Sequence, residues 1–206
     1  MSIELTIVRH GETDLNRVGG FQGQIDVPLN GNGLAQAQRL DNRLAHETFD
    51  ALHCSDLQRA VQTAEPIARR SGLPVQYHRG LREQSFGVLD GSTLSEVQHD
   101  QTALWHAWLK HDADFILPGG ESVRQFSARV IDTVMTLAQI AEGTRLLVIC
   151  HGGVLDMLYR YANRVSLHGP RVCAIPNTGI NRLTLDAGQL RIDAWADDAH
   201  LGNIGA

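Results

Sequence analysis

Short apolar runs alternate with longer amphipathic stretches along this chain. Residues 3–8, 51–54 and 146–150 are brief runs rich in branched apolar side chains, which are typical of strands. Between these runs, apolar residues recur at helical spacing after Gly33, after Ser55 and after Ser122. Strands that alternate with helices predict an α/β layered fold with a mostly parallel sheet, to which an antiparallel edge can be added.

Several local signals set the expected limits of these elements. Ser55 and Ser122 are predicted to cap helices, because a serine hydroxyl can accept a hydrogen bond from a free N–H of the first turn. Pro66 lies inside the helical pattern after Ser55, and we expect it to kink or break that helix near its end. A helical segment over residues 94–110 and a hairpin around residues 186–188 complete the expected elements.

Composition places the chain among ordinary globular proteins. It has 206 residues, of which 43% are hydrophobic and 20% charged. A chain of this length can bury about 70% of the surface that it exposes when unfolded, so a normal hydrophobic core is expected. We predict a single domain over residues 1–206.

Net charge and cysteine content limit which binding partners and which cellular compartment are expected. The formal net charge of -5 argues against nucleic acid or an anionic membrane as a general partner, whereas arginines inside a pocket can still bind a small phosphorylated metabolite. The three cysteines form no CxxC pair, and no apolar run approaches the ~18 residues of a membrane span. We expect a reduced, cytoplasmic setting. The oligomeric state cannot be read from the sequence.

Two histidines occupy similar positions in the predicted fold. His10 and His151 each follow a predicted strand and each precede a glycine. Ligands of open α/β sheets collect outside the carboxyl ends of the strands, and glycine lets the backbone approach them. Arg9 and Arg59 add positive charge near the same edge, which predicts an anion pocket. Glu83, in a glycine-containing loop, is the candidate proton donor.

The same residues resemble the histidine phosphatase superfamily, which includes the cofactor-dependent phosphoglycerate mutases. A lone Arg-His-Gly tripeptide would be weak evidence for a family, but further motif blocks follow it over about residues 4–155, in the same order as in the family. These blocks are Arg9-His10-Gly11-Glu12-Thr13 with Asn16, Gln22-Gly23, Ser55-Asp56-Leu57-Gln58-Arg59-Ala60, Leu81-Arg82-Glu83, Pro118-Gly119-Gly120-Glu121-Ser122 and His151-Gly152-Gly153. The resemblance implies a three-layer α/β/α fold of the phosphoglycerate mutase-like type.

The resemblance also implies a role for each matched residue. His10 is expected to become phosphorylated, while Arg9, Arg59 and His151 hold the transferring phosphoryl group and Glu83 serves as acid and base. Further matched residues are expected to touch the phosphoryl group or the substrate: Asn16, Gln22, Gly23 and Gly152. No metal and no cofactor are expected. The implied activity is a phosphomonoester hydrolase that works through a phosphohistidine.

Two alternatives stay open at this point. One is a mutase, which would return the phosphoryl group to another hydroxyl of the bound molecule. Mutases of the family usually follow the second His-Gly with Asn, whereas this chain continues with Gly153-Val154-Leu155-Asp156, as in the hydrolase branch. The other is a binding module that has lost catalysis, since a fold alone does not fix function. The leaving group cannot be identified, because variable loops build its pocket.

Overall fold

One mixed sheet forms the centre of the molecule. In the computed structural model, which describes residues 2–141 and 143–202, six strands pair in the order β3-β2-β4-β1-β5-β6. The strands are β1 (Ile3–Arg9), β2 (Ala51–Cys54), β3 (Val75–Tyr77), β4 (Arg145–Cys150), β5 (Ile180–Asp186) and β6 (Gln189–Asp197). The predicted strands and the closing hairpin are therefore present.

The pairing explains why the chemistry gathers at one edge of the sheet. β1, β2, β3 and β4 run parallel to one another, whereas β5 and β6 form the antiparallel edge. Arg9 lies opposite Cys150, and Cys54 lies opposite Ile149. The carboxyl ends of β1, β2 and β4 are thus adjacent, and the residues that follow these strands share one crevice.

Helices cover both faces of the sheet. They are α1 (Asp14–Val18), α2 (Gly31–Arg43), α3 (Gln58–Ser71), α4 (Leu94–Asp100), α5 (Thr102–Trp108), α6 (Val123–Ile140) and α7 (Gly152–Asn163), with short 3-10 turns at Arg79–Leu81, Gly87–Leu89 and Ala199–Leu201. α6 and α7 pack on the face that includes Leu146 and Val148, and α2 and α3 on the face that includes Leu147 and Ile149. Because both faces of β4 are buried, its residues 146–150 are all apolar. The predicted three-layer α/β/α fold is confirmed.

One local prediction was wrong, and another was wrong in part. Leu57, not Ser55, is the N-cap of α3, and it supplies no side-chain cap. The Ser55 hydroxyl lies within hydrogen-bonding distance of His151. Pro66 does not break α3, since the helix continues for five more residues to Ser71, and a kink at Pro66 stays a prediction. Ser122 does cap α6 as predicted, in a reciprocal pair with Gln125.

The segment 94–110 differs from the single helical stretch that was predicted. It forms two helices, α4 and α5, separated at Gln101, whose backbone (φ -132°, ψ 48°) is not helical. These helices enclose a small separate core with the loops around them, formed by Phe21, Leu89, Val97 and Leu117 with Phe86, Leu104, Trp105, Trp108 and Phe115 packed against it. This core lies apart from the two that flank the sheet, and the single domain over 1–206 stays a prediction.

Within the described residues, no helix combines the length and the apolar character needed to cross a membrane.

Candidate active site

His10 is held at the end of β1 by its own neighbours. Its side chain is buried, and its Nδ1 lies 2.7 Å from the carbonyl oxygen of Gly11. A carbonyl can only accept, so Nδ1 carries the proton and the lone pair of the neutral ring is on Nε2. Asn177 Nδ2 donates to the His10 carbonyl (2.9 Å), and the His10 N–H donates to that of Cys150 (2.9 Å). These contacts leave Nε2 as the ring nitrogen with a free lone pair.

The surroundings of His10 keep the ring neutral. Burial, followed by the charges of Arg59 and Arg9, holds the pKa of His10 well below its ordinary value. An imidazole must be unprotonated on the attacking nitrogen to act as a nucleophile. The two arginines that can bind a phosphoryl group therefore also keep His10 in its reactive form.

His151 faces His10 from the beginning of α7. The two ring centroids are 5.1 Å apart. Arg59 Nε donates to His151 Nδ1 (3.2 Å), so the neutral ring carries its proton on Nε2, which lies 2.7 Å from Ser55 Oγ and donates to it. Burial, then the charge of Arg59, lowers the pKa of His151 far below the usual histidine range. Arg59 thus fixes the tautomer of His151, because a guanidinium N–H can only donate, and Ser55 accepts the remaining proton of the ring.

Arg59 lies in the first turn of α3, fully buried. Its Nη1 donates to the carbonyl of Ile25 and its Nη2 to that of Gly23, each at 2.8 Å. Burial lowers the pKa of Arg59 to about 10, although the nearby carboxylates, Glu83 first, oppose the shift. Arg59 therefore keeps its positive charge at neutral pH in a site with little water.

Arg9, the last residue of β1, projects into the same crevice. Its Nη1 donates to the carbonyl of Ile175 at 2.7 Å, while its Nε is buried without a hydrogen-bond partner among the described residues. Burial and then the charge of Arg171 lower the pKa of Arg9 to about 10, against the opposing effect of Glu83. A buried N–H donor without a partner is costly, and an anion bound here would satisfy it.

Gly152 lies beside this anion site, and its lack of a side chain leaves space next to the two arginines. A Cβ at Gly152 would lie 3.4 Å from Arg9 Nε and 3.6 Å from Arg171 Nη1, so the two guanidinium groups converge over the first turn of α7. The free N–H groups at a helix N-terminus also favour an anion. Arg171 was not identified from the sequence, because it belongs to no motif and only the fold brings its loop over α7.

Glu83 meets the same turn from the other side. Its Oε2 accepts a hydrogen bond from the N–H of Gly153, and its Oε1 from the N–H of Gln84, both at 2.9 Å. A Cβ at Gly153 would collide with Glu83 Oε1 and crowd the ring of Phe126. Glycine at this position therefore allows the carboxylate to approach the helix that His151 caps.

The remaining predicted residues lie in the first loop. Asn16 caps α1 reciprocally with Thr13, and its Oδ1 also accepts from Asn177 Nδ2 (3.3 Å). The Oε1 of the buried Gln22 accepts from Thr13 Oγ1 (2.9 Å). Gly23 has φ +46°, and a side chain there would collide with Asp90, so glycine lets its carbonyl receive Arg59. These contacts give the three residues a structural role; their contact with substrate stays a prediction.

Two supporting residues were not recognised from the sequence as part of the site. Thr63 Oγ1 accepts from the N–H of Gly11 (3.0 Å), and Asn177 ties the chain after His10 to Asn16. A threonine inside an amphipathic helix gives no signal that it faces a catalytic loop. Asn177 belongs to none of the motif blocks, so it was not assigned to the site.

A cavity of about 340 Å³ opens beside Glu83 and Gly153. We call it the aromatic cavity, because Phe86, Trp108, Phe115 and Phe126 contribute to its wall together with apolar residues such as Leu117 and Met157. Trp108 also packs against Phe21 and Trp105, so it contributes both to the small separate core and to the wall of this cavity. The position of the cavity next to Glu83 suits the alcohol portion of a substrate.

One cluster of possible metal ligands occurs within residues 2–141 and 143–202. Asp112, Asp114 and His168 are exposed and lie close to one another near the rim of the aromatic cavity. Asp114 is already engaged by both Nε and Nη2 of Arg124, and His168 Nδ1 accepts from the N–H of Ala113. This cluster is separate from His10, and the predicted independence of metal stays a prediction.

Comparison with known proteins gives a consistent picture. The model of the histidine phosphatase superfamily (branch 1) matches residues 5–198. Phosphoglycerate mutase-like protein 4 and a metal-independent phosphoserine phosphatase, both of Arabidopsis thaliana, are each 35% identical over 98% of this chain and cover 88% and 84% of their own lengths. A mycobacterial glucosyl-3-phosphoglycerate phosphatase structure superposes with a TM-score of 0.82, at 27% identity over 95% of this chain and 99% of its own.

These relatives confirm the predicted fold and the predicted type of enzyme, a phosphoglycerate mutase-like phosphatase. The family model matches nearly the whole length of the chain, and phosphoglycerate mutase-like protein 4 is 35% identical over 98% of it. The chain therefore belongs to the histidine phosphatase superfamily.

Proposed function

We propose that this protein hydrolyses small phosphomonoesters in two steps, with Nε2 of His10 as the atom that becomes phosphorylated. The observation that carries this proposal is the state of His10: a neutral ring whose Nδ1–H is fixed on the Gly11 carbonyl, buried between Arg9 and Arg59. The arrangement supplies a nucleophile and its anion site in the same crevice.

In the first step, the Nε2 lone pair attacks phosphorus in line with the ester bond. A P–N bond forms, the P–O bond to the alcohol breaks, and the Glu83 carboxyl gives its proton to the departing oxygen. In the second step, water attacks the phosphohistidine and Glu83 takes a proton from it. The P–N bond then breaks, and its electron pair returns to Nε2 of His10.

The buried cations would hold the equatorial oxygens of the phosphoryl group during both steps. Arg9 offers the Nε that has no partner among the described residues, and Arg59 keeps a charge of +1 a short distance from His151. Negative charge spreads over these oxygens in the transition state, so preorganised donors lower the barrier. Arg171 is a third cation near the first turn of α7.

Other elements of the proposal rest mainly on the sequence. The partner would be a small phosphorylated metabolite and not nucleic acid, in keeping with the net charge of -5. A cytoplasmic setting fits the three free cysteines, Cys54, Cys150 and Cys173. The proposed reaction needs neither a metal nor a cofactor, because the arginines supply the positive charge and Glu83 moves the proton.

The test compares wild type with His10→Ala on a panel of phosphomonoesters in the presence of EDTA. The panel includes 3-phosphoglycerate with catalytic 2,3-bisphosphoglycerate, and both phosphate release and isomer formation are measured. His99→Ala is the matched control, because His99 is exposed on α4. We expect phosphate release by wild type and by His99→Ala, a phosphohistidine on quenched wild type, and neither in His10→Ala.

Other results would contradict the proposal. Isomerisation without phosphate release would identify a mutase instead. The absence of both activities in folded wild type, together with binding of phosphate compounds, would indicate a binding module.

A further inference from the structure

Asp156 lies on the wall of the aromatic cavity with one carboxylate oxygen unused. Its Oδ2 accepts from Arg160 Nε at 3.0 Å, one turn further along α7. Its Oδ1 is buried and accepts no hydrogen bond from the described residues, and the side chain as a whole is only 10% exposed. A carboxylate oxygen at this depth is strongly favoured to find a donor.

Arg160 cannot supply that second bond, because its other nitrogens are already committed. Nη1 donates to the carbonyl of Ser166, and Nη2 donates to those of Gly169 and Pro170. The guanidinium thus fastens the loop that follows α7, with Asp156 Oδ2 completing its hydrogen bonds. Asp156 lines the aromatic cavity, so a group bound there can approach Oδ1 as a donor.

The position of Asp156 relates it to the reacting atoms. It follows Gly153 by three residues, and Gly153 N–H holds the carboxylate of Glu83. Residues three apart lie on the same helix face with a rise of about 4.5 Å. A group that contacts Asp156 would thus lie a few bonds from the ester oxygen that Glu83 protonates.

We propose that Asp156 is a specificity-determining residue, whose Oδ1 accepts a hydrogen bond from a hydroxyl or ammonium group on the alcohol portion of the substrate. The chain then favours phosphomonoesters that carry such a donor about two carbons from the ester oxygen. This inference rests on the proposed phosphatase activity and adds a substrate class to it. Esters without a donor leave Oδ1 unsatisfied when they fill the cavity, so they bind less well.

Three esters that differ at a single position test the proposal. O-phosphoserine, 3-phosphoglycerate and 3-phosphonooxypropanoate share a three-carbon chain with a terminal carboxylate, and they carry ammonium, hydroxyl or hydrogen at C2. For wild type we expect kcat/KM to be about 10- to 100-fold higher for one or both donor esters than for 3-phosphonooxypropanoate. The better of the two identifies the donor. Equal values for all three would overturn the proposal.

Asp156→Asn then assigns the preference to this residue. Arg160 Nε needs an acceptor, so the amide oxygen of Asn faces Arg160 and its NH2 faces the cavity, which reverses the hydrogen-bonding polarity there. The preference over 3-phosphonooxypropanoate should fall about tenfold, and most for the ammonium ester, since a hydroxyl can also accept from an NH2 group. Asp132→Asn, an exposed residue of α6, is the control and should keep the wild-type ratio.

The ratio is independent of the amount of active protein, because both esters meet the same enzyme. If Asp156→Asn does not fold, Asp156→Glu is the second variant, since it keeps the charge but displaces the oxygen. An unchanged ratio in the folded variant would overturn the proposal and leave the phosphatase activity intact. Failure of wild type to release phosphate from any ester, including p-nitrophenyl phosphate, would instead count against the proposed function.

Discussion

The two halves of the candidate site are built in different ways. Four residues surround the proposed phosphoryl position, and we call them the phosphoryl cage: His10, His151, Arg9 and Arg59. Each is buried or nearly so, and each is fixed by a carbonyl or by another member of the cage. The aromatic cavity next to it is lined by side chains from loops and from α5, α6 and α7.

This difference separates chemistry from selectivity. Every phosphoryl transfer needs positive charge beside the equatorial oxygens of the phosphoryl group, whichever alcohol is attached. The ends of the parallel strands hold the arginines that supply this charge in fixed positions. The alcohol differs from one ester to the next, and loops can change without disturbing the sheet. We therefore expect substitutions in the cage to slow all substrates alike, and substitutions near the cavity to act differently on different substrates.

The largest expected effect belongs to the cage. Arg59→Lys should lower kcat/KM by about 10³-fold for every phosphomonoester and leave their rank order unchanged. A lysine ammonium cannot bond His151 and the carbonyls of Gly23 and Ile25 at once while it also faces a phosphate. Steady-state kinetics on the ester panel would measure this, with a thermal melt to verify the fold.

Arg70→Lys is the matched control for this prediction. Arg70 lies on the same helix as Arg59 but pairs with Asp41 at the surface, so its activity should stay near that of wild type. A loss in Arg59→Lys that is confined to some of the esters would break the proposed separation between cage and cavity.

A smaller, substrate-dependent effect is expected where the two regions meet, at Glu83. Glu83→Gln should slow phosphorylation by an alkyl phosphate about 10²-fold, because the leaving alkoxide needs a proton. For p-nitrophenyl phosphate the same step should slow only about fivefold or less, since nitrophenolate leaves without one. Rapid-quench measurement of the first turnover isolates this step from hydrolysis of the phosphohistidine.

Glu65→Gln, an exposed position on α3, controls for the loss of one carboxylate and should behave as wild type. An equal loss on both esters would assign Glu83 to the cage as an electrostatic group and remove its role as proton donor.

The same comparison explains how far the sequence could lead. The four cage residues could be named from the sequence, because each lies at the end of a strand, directly after one or in the first turn of a helix, and short motifs record such local geometry. The three-layer fold followed from the alternation of apolar runs with amphipathic stretches. The expected break at Pro66 did not occur, because packing of α3 against the sheet outweighs the loss of one hydrogen bond.

The cavity could not be derived from the sequence, and the reason is physical. Arg171 lies far along the chain from Arg9, and their convergence depends on how the loop after α7 is fastened by Arg160. Asp156 reads as an ordinary helical residue until burial and its pairing with Arg160 are known. Ser55 was assigned to a helix cap, because a local rule cannot anticipate a partner 96 residues away.

The smallest expected effect concerns the pH dependence of stability, to which the two cage histidines contribute. Burial lowers the pKa of His10 and of His151 in the folded protein. Above the ordinary histidine range, both rings are therefore unprotonated in the folded protein and in the unfolded chain alike. As the pH falls below about 6.5, the unfolded chain binds these protons and the folded chain does not. For each unit by which the pH falls, each ring therefore lowers the free energy of unfolding by up to about 1.4 kcal/mol. This loss stops when the pH reaches the lowered pKa of the ring in the folded protein.

Replacing one cage histidine should reduce this slope. His10→Gln is expected to flatten the pH dependence of unfolding between pH 6 and pH 5 by about 1 kcal/mol per unit relative to wild type, as urea melts at matched ionic strength would show. His99→Gln, at an exposed position, should leave the slope as it is in wild type. Parallel curves for wild type and His10→Gln would mean that His10 takes up a proton as readily in the folded protein as in the unfolded chain. The cage would then not keep its nucleophile neutral, and its electrostatic distinction from the cavity would fail.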